Sequence, residues 1–68
     1  MNINTAIQNA FLDLKKKNIK SALLDCEILM SQALNQHRSK VILNLDRQLN
    51  NKDYKVFRKL ITLSLIHI

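Results

Sequence analysis

Apolar residues recur every three or four positions through most of the chain, a period that predicts helices rather than strands. The first such pattern covers residues 4–17, and its apolar side chains fall on one side of a helical wheel: Ile3, Ala6, Ile7, Ala10, Phe11 and Leu14. We expect Asn4 or Thr5 to cap this helix at its amino end. Lys15, Lys16 and Lys17 would then lie at the negative carboxyl end, where cations are favourable.

Residues 21–34 form a second helical pattern, which differs because its apolar side chains occupy two sectors of the wheel. The broad sector contains Ala22, Leu23, Cys26, Leu29, Met30, Ala33 and Leu34. The second sector contains Leu24 and Ile28, and only thin polar stripes separate the two. A helix that is apolar on most sides is typical of a central helix. We therefore expect Ser21 to cap a helix that its neighbours cover on nearly every flank.

The second half of the chain predicts two further helices. The short connection before Ser21 contains Asn18, a residue that tolerates the left-handed conformation ending a helix. After a break at residues 35–38, Ser39 is the expected cap of a third helix that runs to about Leu49. Its predicted inner face contains Val41, Ile42, Leu45 and Leu49. After a turn at residues 50–51, the inward stripe of a fourth helix contains Tyr54, Phe57, Leu60 and Ile61, flanked by Val56.

These patterns predict an all-α fold, a small four- to five-helix bundle around a central helix at about residues 21–34. The chain contains no glycine and no proline, and no stretch alternates as a strand does. Its 68 residues make one domain at most, with a small core and marginal stability. We expect the domain to end near residue 61, with residues 62–68 a tail that is truncated or foreign.

The residues that usually carry chemistry do not form a reactive constellation in this sequence. Phosphate-cradling and dinucleotide-binding loops need glycine for close backbone approach, which excludes them here. Asp25 and Glu27 would point about 200° apart on a helix, and Cys26 lies among small apolar residues, where a thiol behaves as a hydrophobe. His37 and His67 lack a second ligand at helical spacing. We expect no catalytic, cofactor-binding or metal-ligating residue in this chain.

The features that would direct a protein to a membrane or out of the cell are also missing from the pattern. The amino end lacks the basic start and apolar core of a signal peptide. The longest apolar stretch, residues 60–68, is interrupted and too short to cross a bilayer. With one cysteine there is no internal disulfide. These observations predict a cytoplasmic protein that does not bind membranes.

The formal net charge of +6 at pH 7 draws attention to the basic faces of the last two helices. Arg38, Lys40 and Arg47 form the candidate partner-docking surface around the third helix. The fourth helix contributes Lys52, Lys55, Arg58 and Lys59. The two faces would lie side by side if these helices formed a hairpin, and such a patch suits an acidic protein surface or an RNA backbone equally well. Most of the excess charge is expected to be solvated.

The central segment carries a resemblance to a known family. Residues 21–30 read SALLDCEILM and resemble the segment S-A-R-L-D-A-E-L-L-L in the amino-terminal domain of the HemK/PrmC family, the release factor glutamine methyltransferases. Leu24, Asp25, Glu27 and Leu29 match the family segment outright. The departures include Leu23 for arginine, Cys26 for alanine and Met30 for leucine. Arg38 lies where the family has an arginine before its next helix, and the resemblance extends from about Ala6 to Ile61.

The resemblance implies a function that the residues alone do not show. The parent enzyme transfers a methyl group from S-adenosylmethionine to the glutamine of the Gly-Gly-Gln motif in peptide chain release factors. Residues 1–61 would then be the amino-terminal helical domain that helps to dock the release factor. The family's catalytic domain, with its Asn-Pro-Pro-Tyr motif, is absent from these 68 residues, so the chain alone is expected to be inactive and to hold no cofactor.

Two other classes of function remain open at this point. The charge also fits a small basic nucleic-acid-binding protein, although no exposed face carries the Arg, Asn and Gln of a recognition helix, which makes nucleic acid the less favoured partner. A self-associating helical protein is suggested by Leu12, Leu43 and the apolar tail, which the patterns leave on the surface. A steep salt dependence of binding would support the first class, and a monomer at high concentration would argue against the second.

Overall fold

The computed structural model describes residues 1–66, which contain four α-helices. They are α1 (Ile3–Lys16), α2 (Ala22–Leu34), α3 (Arg38–Leu43) and α4 (Asn51–Ile66). In this part of the chain there is no strand, only an isolated antiparallel bridge between Asn2 and Gln48. The predicted all-α class is confirmed, with four helices. Of the tail predicted at residues 62–68, His67 and Ile68 lie outside the described residues.

Helix α2 lies at the centre of the fold because it packs against each of the other three helices, while α1 also packs against α4. The shared core consists of the apolar stripes that the period predicted. Its buried residues are Ile3, Ala6, Ile7, Ala10, Leu14, Ala22, Cys26, Met30, Val41, Leu49, Phe57 and Ile61. The Cα radius of gyration of 10.9 Å equals the value of about 11 Å expected for a compact domain of this length.

The expectation that α2 is covered on nearly every flank is wrong. Its neighbours enclose the sector that contains Ala22, Cys26 and Met30, which are buried. The second apolar sector faces solvent, with Leu24 43% and Ile28 38% exposed. The physical reason is the size of the chain, because three neighbouring helices, one of them only six residues long, cannot enclose a fourth from all sides.

The cap residues of α1 and α2 differ from the predicted ones. Helix α1 begins at Ile3, and the Asn2 side chain accepts a 2.7 Å hydrogen bond from the Thr5 amide, so neither Asn4 nor Thr5 is the cap. Ser21 occupies the cap position of α2 but makes no side-chain cap bond. Its hydroxyl instead donates to Asp25 Oδ2 at 3.1 Å.

Two asparagines end the first two helices in the way that the absence of glycine requires. Asn18, in the connection between α1 and α2, has a φ of 61°, as predicted. Asn35 follows α2 with a φ of 54°. Both lie in the left-handed region, which asparagine enters more readily than most residues. The connection is short, which makes α1 and α2 antiparallel neighbours.

Helix α3 ends at Leu43, six residues before its predicted end. The residues that follow pair with the amino terminus: Ile3 N donates to Arg47 O at 3.0 Å, Asn4 N donates to Leu45 O at 2.9 Å, and Leu49 N donates to Met1 O at 2.9 Å. These backbone bonds replace helical ones and still bring Leu49 into the core, whereas Ile42 is 41% exposed. Ser39 lies inside the helix, and His37 occupies the cap position without a side-chain cap bond.

Helix α4 begins at Asn51, one residue before the predicted start. The Asn50 side-chain oxygen caps the helix by accepting a bond from the Asp53 amide at 2.8 Å, and the Asn50 side-chain nitrogen donates to Asp53 Oδ2 at 3.1 Å. Phe57 and Ile61 are fully buried, as predicted. The helix passes residue 61 without a break, and Leu65 packs against the core. The division into a domain of residues 1–61 and a tail of residues 62–68 stays a prediction.

Candidate docking surfaces

Arg38, the first of the candidate docking residues, is joined to α2 by an ion pair. Its Nε donates to Glu27 Oε1 at 3.0 Å, and its Nη2 lies 2.9 Å from the same oxygen. The Arg38 side chain is 48% exposed, while that of Glu27 is 17% exposed. The guanidinium therefore holds α3 against α2 with one edge and presents its remaining N–H groups to solvent.

An open hollow of roughly 470 Å³ lies beside Arg38, at the carboxyl end of α2. Its lining residues are Ser31, Gln32, Asn35, Gln36, His37 and Arg38. All six side chains are polar or charged, and the exposed guanidinium of Arg38 suits an anionic group of a partner. Gln32 follows Ile28 by one helical turn, so the hollow lies at the carboxyl end of the α2 face that carries the exposed Leu24 and Ile28.

Lys40 and Arg47, the other two candidate residues, are both exposed but do not share a pocket with Arg38. Arg47 lines a second hollow, together with Asn44 and Gln48, while Lys40 lines neither of the two. Within residues 1–66 neither Lys40 nor Arg47 belongs to an ion pair. The structure thus places the three cations around α3 and its exit as separate contacts rather than as one site.

The predicted junction of two basic faces is wrong for two reasons. Helix α3 packs against α2, so the last two helices do not form a hairpin. Arg58, predicted on the outer face of α4, turns toward α1, where its Nη2 donates to Asp13 Oδ2 at 2.8 Å. The lysines predicted on the same face, Lys52, Lys55 and Lys59, are exposed.

Cys26 is buried in α2, between the acidic residues Asp25 and Glu27. Burial raises the pKa of the Cys26 thiol to about 11, and the nearby Asp25 carboxylate adds to the effect. A thiol with a raised pKa is a poor nucleophile at neutral pH. Among residues 1–66 no three His, Cys, Asp or Glu side chains come together as they would around a metal ion. None of the described helices is long and apolar enough to span a bilayer.

Comparison with known families decides what kind of domain this is. The PrmC N-terminal domain family matches residues 5–64, which is most of the chain and includes all four helices almost completely. The chain belongs to the PrmC N-terminal domain family. Membership agrees with the resemblance at residues 21–30, and the matched range extends three residues beyond the predicted boundary at residue 61.

Part of the chain is also similar to part of a longer curated protein. A release factor glutamine methyltransferase of Leptospira interrogans serogroup Icterohaemorrhagiae serovar Lai (strain 56601) is 46% identical over 46 residues. That stretch is 68% of this chain but 16% of the relative's length. No solved structure matches the chain.

Sequence reasoning missed the two ion pairs that connect the helices of this PrmC N-terminal domain. Arg38 and Glu27 are 11 positions apart, and Arg58 and Asp13 are 45 positions apart. Helical periodicity reports only neighbours three or four positions apart, so neither pair has a local signal. The family's arginine position was the one hint, because it singled out Arg38 without giving its partner.

Proposed function

We propose that this chain is the release-factor-docking part of an S-adenosylmethionine-dependent protein-(glutamine-N5) methyltransferase. The parent enzyme would methylate the glutamine of the release factor Gly-Gly-Gln motif. In this proposal the four helices recognise the release factor, and a separate catalytic domain performs the transfer. The observation that carries the proposal is the family match over residues 5–64.

The chain's own residues support a docking role rather than a chemical one. S-adenosylmethionine does not fit them, because a chain without glycine has no loop that lets the backbone approach a cofactor closely. The buried Cys26, with its raised pKa, is not available as a nucleophile. In this proposal the contribution of these helices is therefore binding. They contact the release factor and the catalytic domain of the parent enzyme, which acts in the cytoplasm.

Arg38, Lys40 and Arg47 are proposed to contact the release factor. Arg38 keeps free N–H groups beside the hollow at the end of α2 while its other edge binds Glu27. Lys40 is an exposed cation within α3, and Arg47 is an exposed cation in the segment that follows α3. Charges at the rim of an interface mainly raise the association rate and select the partner, which fits contacts of this kind.

Titration of the ¹⁵N-labelled chain with a purified peptide chain release factor tests the docking role. We expect chemical-shift changes confined to one surface, with weak affinity, because the catalytic domain shares the interface in the intact enzyme. The double variant Lys40→Glu, Arg47→Glu should bind more weakly, whereas Lys17→Glu, Lys20→Glu serves as a control of equal charge change. Unchanged spectra at high release factor concentration would refute the docking role.

A further inference from the structure

One side of α4 faces solvent along almost the whole helix and combines lysines with apolar residues. We call it the outer face of α4, and it consists of Lys52, Lys55, Val56, Lys59 and Leu63. These positions follow helical spacings of three and four, so they share one side of the helix. Phe57 and Ile61, on the opposite side, are completely buried. The face is therefore fixed in orientation by the core beneath it.

The charge of this face has no compensation within the described residues. The two ion pairs there use Arg38 and Arg58, not the three lysines. Asp53, the acidic residue of α4, is already bound to the Asn50 side chain. Lys52 and Lys55 are three positions apart, and Lys55 and Lys59 are four apart. Like charges at these spacings repel, so the face is less stable alone than when carboxylates cover it.

The apolar residues of the face lie between and beyond the lysines. Val56 is 42% exposed and Leu63 is 44% exposed. Seven residues on a helix cover about 10.5 Å, which is two turns and the spacing of successive anchors in helix-on-helix contacts. The aliphatic stems of the lysines widen the apolar strip while their ammonium groups remain at its edges.

We propose that an acidic amphipathic segment of the release factor packs on the outer face of α4. Its carboxylates pair with Lys52, Lys55 and Lys59, and two of its apolar side chains contact Val56 and Leu63. The proposal rests on the proposed function and adds to it the chemistry of the partner's surface and a second place of contact. Charge complementarity selects the occupant, since both the face and the whole chain, at +6, are basic.

A nucleic acid fits the same face less well than an acidic protein segment. Single-strand binders stack bases on exposed aromatic rings beside their cations. The face carries no aromatic residue and no arginine, and the aromatics of α4, Tyr54 and Phe57, pack on or in the core. Exposed Val56 and Leu63 would also gain nothing from a phosphate backbone. The combination of lysines and aliphatic groups favours a protein partner.

Three charge variants test the proposal in the full 68-residue chain. The first is Lys52→Glu, Lys55→Glu, Lys59→Glu, and the second replaces the same lysines by glutamine, which keeps helix propensity without reversing charge. The matched control is Lys16→Glu, Lys17→Glu, Lys20→Glu, at the carboxyl end of α1 and in the connection to α2, with the same change in net charge. Circular dichroism checks folding, and fluorescence anisotropy with a labelled release factor measures the Kd at two salt concentrations.

We expect the glutamate variant of α4 to bind at least about tenfold more weakly, the glutamine variant to be intermediate, and the control to bind within about twofold of the unchanged chain. Val56→Ser, Leu63→Ser should weaken binding without changing its salt dependence.

Equal binding by all charge variants, or equal loss in the control, overturns the proposal while leaving release factor docking intact. Absence of binding by the unchanged chain overturns both. Tighter binding of a mixed-sequence RNA 20-mer than of the release factor, lost in the same α4 variants, also overturns it.

Discussion

At the scale of single residues, the Cys26 thiol shows how burial lowers the reactivity of a cysteine. Desolvation, followed by the charge of Asp25, raises its pKa from the ordinary 9.0 to about 11. Because the thiolate is the nucleophile, we expect very slow reaction with an aromatic disulfide reagent at pH 8 in the native protein and rapid reaction in denaturant. A raised pKa also means that this group's stabilising contribution is complete below about pH 9 and is lost as the pH rises toward 11. Equal reaction rates in native and denatured protein would contradict this burial.

The contact between Arg58 and Asp13 joins α1 to α4, and a double-mutant cycle measures its contribution. The side chains are 32% and 38% exposed, so solvent screens the pair. For Arg58→Gln and Asp13→Asn, alone and together, we expect a coupling free energy of about 0.5–1 kcal/mol from urea unfolding. The pair Lys59→Gln with Asp13→Asn is the control and should show no coupling. Zero coupling in the Arg58 cycle would mean that the ion pair does not stabilise the helix contact.

The residues of the core were predictable, while their long-range polar partners were not. Phe57, Ile61 and Cys26 follow from period alone, because each lies in an apolar sector of its helix. Arg58 follows Phe57 directly and was placed on the outer face. Arg58 points toward Asp13 because α1 packs beside α4 in the folded chain, and no local sequence pattern predicts that packing.

At the scale of helices, the amino-terminal cap of α1 provides a clear test. Asn2 accepts the bond from the Thr5 amide, whereas Asn4 and Thr5 lie inside the helix. We expect Asn2→Ala to lower the free energy of unfolding by about 1 kcal/mol, because it leaves one helix-end amide without a partner. Thermal and urea denaturation measure the change. Asn4→Ala, the matched control, should cost little, and a reversed order would show that the helix begins later.

The exposed flank of α2 makes a second prediction at this scale. Ile28 is 38% exposed, while Ile7 of α1 is 2% exposed. The same substitution to alanine should therefore cost about 2–5 kcal/mol at Ile7 and about 1 kcal/mol or less at Ile28. Urea unfolding of both variants gives the comparison. A large loss at Ile28 would mean that its side chain is covered, as its place in an apolar sector first suggested.

Helix periodicity predicted which segments are helical but not what ends or covers them. Residues 44–49 continue the apolar spacing of α3, yet they pair with residues 1–4 instead of extending the helix. That competition depends on two segments far apart in sequence, which a local pattern does not contain. The pattern likewise showed that Leu24 and Ile28 form an apolar sector, but the number of available neighbours decided their exposure.

At the scale of the whole molecule, the domain combines a modest core with a basic surface, and the described residues contain no cluster of metal-ligating side chains. The segment at Ser21 indicated the family by resemblance, and the absence of glycine argued against cofactor loops. The docking role is what the resemblance implies, and it stays a proposal. The surroundings of the candidate docking residues were harder to predict, because exposure and ion pairing separate Lys40 and Arg47 from Arg38, and the three lysines of α4 from Arg58. Those distinctions exist only in the folded chain.

One methyl-transfer assay tests the central claim most directly, because it reads docking and chemistry together. In the first experiment the chain is added in increasing amounts to a mixture of a release factor, radiolabelled S-adenosylmethionine and an intact release factor glutamine methyltransferase. In the second experiment the intact methyltransferase is left out. We predict no transfer by the chain alone and a rising apparent KM for the release factor at unchanged kcat, as competition for docking requires. Methyl transfer by the chain alone, or an unchanged KM when the chain is well above its Kd, would contradict the account.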